Sequence, residues 1–351
     1  MHPKRQGRAV AGIRELARHL GLSIGTVSRA LNDRPDVNPA TRQRVLQAAE
    51  ELGYSPNQSG RSLRQGRTGM VAFVLPTSDR TSVADTIFMP VIDGLRRSLA
   101  GHGLDLMVLL CGPEQDPFEH LRRVAERRLA DGLIIADTQR IDRRIDYLIG
   151  ARMPFVAFGR SASGGPHAWI DLDFEGVADF AIDRLVAKGH RRIALATVGG
   201  EINFGYLFAD AYRAALRRRG IEADPELIVK VENSEHGGYQ LADRALSMPD
   251  RPTAALLANE LMVIGLYERL AEAGLAPGRD LAVIGFGEEP SARFLRPKVS
   301  CFRFDLAGLG AELGVMLVAA MAKPEVEQSH VMQKVWPMTF RAGESDGEAL
   351  R

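Results

Sequence analysis

Residues Ile13 to Asn32 read IRELARHLGLSIGTVSRALN, two short amphipathic patterns that break at a single glycine and restart at a serine. In the first pattern Ile13, Leu16, Ala17 and Leu20 recur at helical spacing, Gly21 offers a left-handed stop, and Ser23 is a natural N-cap for the next helix. The second helix starts at Ile24, with Val27, Ala30 and Leu31 turned inward. Ile24, Gly25, Thr26, Ser28, Arg29 and Asn32 are left to face outward near its beginning. This is the layout of a helix-turn-helix, whose second helix presents base edges with its N-terminal end. A third helix begins at Asn38-Pro39, cap then first-turn proline, carries Val45, Leu46, Ala49 and Leu52 inward, and stops at Gly53. Three helices of this length share one small core.

Charge is distributed unevenly along the chain. Residues 1 to 68 hold 12 Lys and Arg against 5 Asp and Glu, a net of +7, while the remainder carries 33 against 39, a net of −6. The overall +1 therefore conceals a basic head, which attracts phosphates of any sequence, followed by a larger acidic part that phosphates repel. A solvated basic face on an ordinary helical domain is the plainer alternative. The turn, the caps and the charge asymmetry together favour a DNA-binding head.

TVSRALN at 26 to 32, followed by TRQRVLQAAEELGYSPNQSGRSLRQGRT at 41 to 68, closely resembles the DNA-binding head of the lactose-repressor (LacI/GalR) family. The resemblance continues through HRRIAL at 190 to 195, PTAALLANELMVIG at 252 to 265, DLAVIGFGE at 280 to 288 and the region near Phe340. It implies a homodimeric bacterial transcription regulator whose affinity for a pseudo-palindromic double-stranded operator changes when a small effector, usually a sugar, binds the C-terminal body. It also implies base readers at Ile24, Gly25 and Arg29, contacts that hold the DNA backbone at Thr26, Ser28, Asn32, Thr41 and Arg42, and a further DNA-binding residue at Asn57. Ile24 offers only apolar contact, for instance to a thymine methyl, and Gly25 lets the backbone come close. Arg29 is then the main hydrogen-bonding reader.

The resemblance divides the chain into a head at 1–56, a linker at 57–68, a body at 69–345 and a polar tail at 346–351. In the family the linker folds into a hinge helix only on operator DNA, and Leu63 matches the leucine that wedges into the minor groove and bends the duplex. Gly60 stands where an alanine is usual, at a cost of roughly 1 kcal/mol in helix propensity.

Beyond Thr68 the pattern is α/β. MVAFVL (70 to 75), LDLMVLL (104 to 110), GLIIA (132 to 136) and PFVAF (154 to 158) are apolar runs of strand length separated by helical stretches. After Trp169 to Leu172 the scheme repeats with RRIALAT (191 to 197), ELIVKV (226 to 231), TAALLA (253 to 258) and DLAVIGF (280 to 286), separated by helices near 174–188, 206–219, 237–247 and 261–273. Continuous apolar strands joined by helices predict parallel sheets covered on both faces, and two such blocks predict two doubly wound lobes with a ligand cleft at the carboxyl ends of the strands. The resemblance identifies this body as similar to the type I periplasmic binding proteins, with the segment from Asp305 to about Gln333 returning to the first lobe.

Carried over residue by residue, the resemblance assigns the effector pocket to Phe88, Asp137, Arg160, Phe204, Phe208, Asn233, Asn259, Glu260, Glu288 and Asp305. Several departures bear on the ligand. Phe208 stands where many relatives have an arginine, which removes a bidentate clamp, and the usual Gly-Phe-Asp-Asp reads Gly285-Phe286-Gly287-Glu288. Phe204, Tyr206 and Phe208 either stack on the apolar side of a sugar ring or cap the core of the lobe. The effector is expected to be a carbohydrate and the regulator a repressor of carbohydrate uptake or catabolism genes; a nucleobase-like effector, or activation in place of repression, is the alternative.

Other classes find little support. Cys111 and Cys301 read as buried thiols, and no metal-ligand spacing, phosphate loop or catalytic constellation occurs, so neither metal, cofactor nor turnover is expected. A periplasmic solute-binding protein would explain two lobes but has no use for a basic head. No run approaches membrane-spanning length and the start lacks an apolar core of signal-peptide length, so a cytoplasmic protein with no membrane partner is expected. The tail lacks the apolar heptads of a tetramerising coiled coil.

Overall fold

The computed structural model describes residues 12–31, 34–54, 67–77, 87–287, 292–322 and 331–349. The chain divides into two compact units, Met1–Thr68 and Gly69–Arg351.

In the head, α1 (Ile13–Leu20) ends at Gly21 with φ 64°, a left-handed turn that lets Leu22 N–H donate back to Ala17 O. Ser23 Oγ accepts from Thr26 N–H at 3.0 Å and starts α2 (Ile24–Leu31). Asn38 Oδ1 accepts from Ala40 N–H at 2.9 Å and starts α3 (Pro39–Glu51). Leu16, Ala17, Val27, Ala30, Val37, Val45, Ala48 and Ala49 form the core. One expected core residue is misplaced: Leu46 is 50% exposed. The inward stripe of α3 runs 45, 48, 49 and 52, and residue 46 lies about 100° off it, so Ala48 takes its place.

Among the described residues the body holds two six-stranded sheets. The first contains β1 (Met70–Pro76), β2 (Asp105–Cys111), β3 (Gly132–Ile135), β4 (Phe155–Phe158), β5 (Trp169–Leu172) and β11 (Gln333–Trp336) in the order β11-β5-β4-β3-β1-β2, and every pairing is parallel. The second contains β6 (Ile193–Val198), β7 (Ile228–Val231), β8 (Ala254–Leu257), β9 (Ala282–Phe286), β10 (Ser300–Arg303) and β12 (Thr339–Arg341) in the order β12-β10-β9-β8-β6-β7. Only β12 runs antiparallel, against β10. In each sheet the first strand lies between the second and the third, so connections leave it on opposite faces and open a crevice at its carboxyl end.

Helices α4 (Phe88–Ala100), α5 (Pro117–Glu126) and α6 (Arg143–Gly150) belong to the first lobe; α8 (Asn203–Arg218), α9 (Glu235–Ser247) and α10 (Glu260–Glu272) to the second. α7 (Phe174–Ala187) links the sheets, and α11 (Leu306–Ala322) carries the chain back to pack on α4. That crossing is backbone-close: a Cβ at Gly94 would lie 2.0 Å from Ala307 O, and one at Gly310 would lie 2.0 Å from Val91 O. The buried strands explain the unbroken apolar runs, but β2 departs from that reading. It is an edge strand, leaving Val108 and Leu110 exposed.

The segment expected to begin a polar tail at residue 346 is instead packed onto the second lobe. Ser345 and Asp346 are buried, and the Asp346 carboxylate receives Ser300 Oγ, Arg184 Nε and Lys188 Nζ. A buried carboxylate persists only when ion-paired and hydrogen-bonded, and here three donors supply that need. Cys111 and Cys301 are free, buried thiols; burial pushes Cys301 up to about 11. Among the described residues no helix is long and apolar enough to cross a membrane.

Candidate functional site

A cavity of about 780 Å³ lies between the carboxyl ends of the two sheets. Its walls come from the strand ends and the loops that follow them: Pro76 at the end of β1, Asp137 after β3, Gly199 after β6, Asn233 after β7 and Asn259 after β8. The volume falls in the range of about 300–1,000 Å³ usual for small-molecule sites.

Of the ten residues assigned to the pocket, Phe88, Asp137, Phe204, Asn233, Asn259 and Glu260 line the cavity. Asp137 is held in the left-handed region at φ 49°, rare for a residue with a side chain. Arg144 braces it by donating from Nη2 to Asp137 O at 2.9 Å, and is itself buried in an ion pair with Asp142 at 2.7 Å. Burial pushes the Asp137 carboxyl above the usual carboxylate range, with Arg144 pulling the other way. Asn259 caps α10, its Oδ1 accepting from Leu261 N–H at 2.7 Å. Glu260 receives Ala292 N–H on Oε1 at 3.1 Å. Asn233 Oδ1 is buried with no donor among the described residues, an acceptor suited to a ligand hydroxyl or N–H.

Three assignments fall elsewhere, and the fourth lies outside the described residues. Arg160 is absent from the wall because its guanidinium is already bound: Nε reaches Asp171 at 2.8 Å and the terminal nitrogens reach Glu175 at 2.8 Å. Burial works against its charge, but these two carboxylates hold it protonated. Gly159 and Asp171 line the cavity in its stead. Phe208 is fully buried among Phe174 and Phe286, so of the two readings of the aromatics it takes the core one. Asp305 is exposed and caps the first turn of α11 through Gly308 N–H at 2.8 Å. Glu288 lies outside the described residues.

α8 starts at Asn203, three residues before the expected boundary, so Phe204 sits in its first turn. Its ring lines the cavity and stacks on Phe174, centroids 5.3 Å apart and planes 11° apart. Tyr206 instead receives two cations on its ring, Lys230 at 4.6 Å and Arg140 at 5.0 Å. Phe158, Phe286, Lys230 and Arg293 also line the cavity and were not anticipated. Phe158 and Phe286 are the last residues of β4 and β9, so the rule that ligands sit at strand carboxyl ends already pointed to them. Nothing local marks Lys230 or Arg293.

On the head, Ile24 is 42% exposed, and Gly25 and Arg29 are exposed beside it at the start and along the outer face of α2. Arg29 lies 3.8 Å from Asp36, a loose surface ion pair that DNA can displace. Thr26 Oγ1 lies 2.9 Å from Ser23 Oγ, joined to the cap of the helix. Ser28 and Thr41 are half-buried; Arg42 donates to Arg34 O at 2.7 Å. Asn32, Asn57 and Leu63 lie outside the described residues.

Residues 12–57 match the family model of bacterial regulatory proteins of the lacI family, and residues 182–342 match that of the periplasmic binding protein-like domain. The chain is 30% identical over 344 residues to the HTH-type transcriptional regulator AglR of Rhizobium meliloti (strain 1021), covering 96% of this chain and 94% of that protein. The chain belongs to the lacI family. This lacI-family protein is also 34% identical over 268 residues to the HTH-type transcriptional regulator RafR of Escherichia coli, covering 76% of this chain and 79% of that one. Among solved structures, the transcriptional regulator CelR in complex with cellobiose superposes with a TM-score of 0.71 at 27% identity, covering 95% of this chain and 99% of that chain. The lac repressor dimer bound to operator and the anti-inducer ONPF superposes at 0.84 with 21% identity, covering 97% and 100%, a likeness of fold. A helix-turn-helix head on a periplasmic-binding-protein-like body of this family is a DNA-binding transcriptional regulator.

Proposed function

We propose that this regulator is a homodimeric repressor of carbohydrate uptake or catabolism genes, released from or held on a pseudo-palindromic operator by a sugar bound between its lobes. One observation carries the effector half of this reading: a cavity of about 780 Å³ whose wall combines aromatic rings at Phe88 and Phe204 with polar groups at Asp137, Asn233 and Asn259. Apolar faces suit the C–H side of a pyranose, and the amides and carboxylate suit its hydroxyls. The cellobiose complex of CelR supports the same class of ligand. Ile24, Gly25 and Arg29 are the proposed base readers, with Thr26, Ser28, Thr41 and Arg42 at the phosphates.

An effector shifts operator affinity only by as much as it binds the two conformations differently, typically about 1–3 kcal/mol. Calorimetry of the intact protein against a panel of mono-, di- and trisaccharides, followed by anisotropy on operator with each hit, tests the proposal. A sugar that binds and changes operator affinity is the expected result. Binding of a nucleobase or an acidic metabolite with no response to any sugar would replace the effector class while leaving the regulator.

A further inference from the structure

The loop after β3 and the loop after β6 meet across the cleft. Asn203 N–H donates to Thr138 O at 2.8 Å, Arg140 N–H donates to Glu201 O at 2.9 Å, and Gln139 and Ile202 form an isolated antiparallel bridge between them. Asn203 adds a side-chain link, its Nδ2 donating to Arg160 O at 2.7 Å, where Thr138 Oγ1 also donates at 3.0 Å. Asn203 is 7% exposed and Thr138 3%. The first-lobe side is rigid: Gln139 N–H donates to Asp142 Oδ2 at 2.9 Å, and Asp142 is locked to Arg144 and to Ser163.

The placement of this bridge gives it a role. Asp137, Thr138 and Gly159 on one side, and Ile202 and Phe204 on the other, all line the cavity, whereas Asn203 does not. Asn203 therefore ties together the two rims that a bound molecule touches, without touching the molecule. As the first residue of α8, it also has a backbone N–H with no partner inside the helix, which frees that donor for Thr138.

We infer that Asn203 is a positioning residue of the ligand site: its two hydrogen bonds hold the lobes closed over the cavity before any ligand arrives, and the closed fraction they maintain sets the apparent ligand affinity. The inference rests on the reading of the cavity as the effector site. The affinity of a ligand that requires the closed form falls in proportion to the closed fraction.

The test uses the intact protein, free of DNA and ligand, with Asn203→Asp, Asn203→Ala and Asn203→Gln. The aspartate keeps the shape but sets a carboxylate against the Arg160 carbonyl; the glutamine keeps a donor. Hydrogen exchange read by mass spectrometry should show 138–140 and 201–203 protected in the wild type. Asn203→Asp should abolish that protection in both segments, with Asn203→Gln in between. The tightest sugar of a panel containing cellobiose and raffinose should then weaken in proportion to the closed fraction that remains. Acceleration at 201–203 alone, with 138–140 unchanged, would show a purely local role and overturn the inference, as would unprotected exchange of both segments in the wild type. Loss of protection in both segments with unchanged sugar affinity would overturn the link to ligand affinity. If Asn203→Asp fails to fold, Asn203→Ala is read by the same criteria. If the wild type binds no sugar of the panel, the proposed effector class fails, while exchange at 138–140 still decides whether Asn203 holds the lobes together.

Discussion

Phe208 meets Phe286 edge to face inside the second lobe, ring centroids 5.4 Å apart and planes at 88°. The position, at which the family resemblance implies an arginine, is here a core position with 0% exposure. Phe208→Ala is expected to cost about 3–5 kcal/mol of body stability through the cavity it leaves. Phe208→Arg is expected to prevent folding of the second lobe, because it buries a charge between Phe174 and Phe286 with no partner. Urea denaturation of both variants checks this; a loss below about 1 kcal/mol for the alanine would place Phe208 outside the core.

Arg29→Ala is expected to remove selectivity between operator and scrambled duplex by about 1–3 kcal/mol, the worth of a bidentate base contact. The salt-dependent nonspecific binding, which comes from the whole basic head, should largely remain. Anisotropy on both duplexes at several salt concentrations measures the ratio, and an unchanged ratio rules Arg29 out as a base reader.

Asp137 combines left-handed backbone with a carboxyl raised by burial. A carboxyl whose folded pKa lies above the unfolded value stabilises the fold in its protonated form, and that contribution is lost as pH rises through the folded pKa. Asp137→Asn should therefore be more stable than the wild type at pH 7, with the difference vanishing below about pH 4, near the unfolded carboxylate pKa. Thermal melting across pH 3.5–7.5 reads it out. A wild type more stable than the variant at pH 7 would mean that the charged carboxylate is favoured in the fold.

Asp346 behaves in the opposite sense. Burial raises its pKa, but hydrogen bonds from Ser300, Arg184 and Lys188 outweigh burial and hold the carboxyl below the ordinary value. Its contribution is present above the unfolded pKa and lost as pH falls through the folded one, so wild-type stability should decline below about pH 4. Asp346→Asn should flatten that decline and lower stability at pH 7 by about 1–3 kcal/mol. Equal acid sensitivity in both proteins would show that the C-terminal strap does not hold the second lobe.

The strands of both lobes were legible because a parallel strand covered on both faces reads as an unbroken apolar run, as MVAFVL and RRIALAT do. β2 carried the same signature, yet it lies at a sheet edge, since composition does not report which strand has a neighbour on each side. Local pattern also missed the short β11 and β12, four and three residues long. Their pairing spans partners far apart in sequence. Of the cavity, the residues at strand ends were within reach of the strand-end rule, whereas Lys230 and Arg293 reach it from positions without a local mark.

By itself the sequence determined the head: its turn glycine, its caps and its basic charge act over a few residues, and local physics suffices to place them. It also determined two α/β lobes, because hydrophobic period and run length are local too. Tertiary structure alone decided which side chains share the cleft. Arg160 leaves it for Asp171 and Glu175, eleven and fifteen residues on, Phe208 turns into the core, and Asn203 ties the two rims together through Thr138 and Arg160, 65 and 43 residues away. Such choices depend on competition among partners brought together by folding, and no window of neighbouring residues contains both competitors.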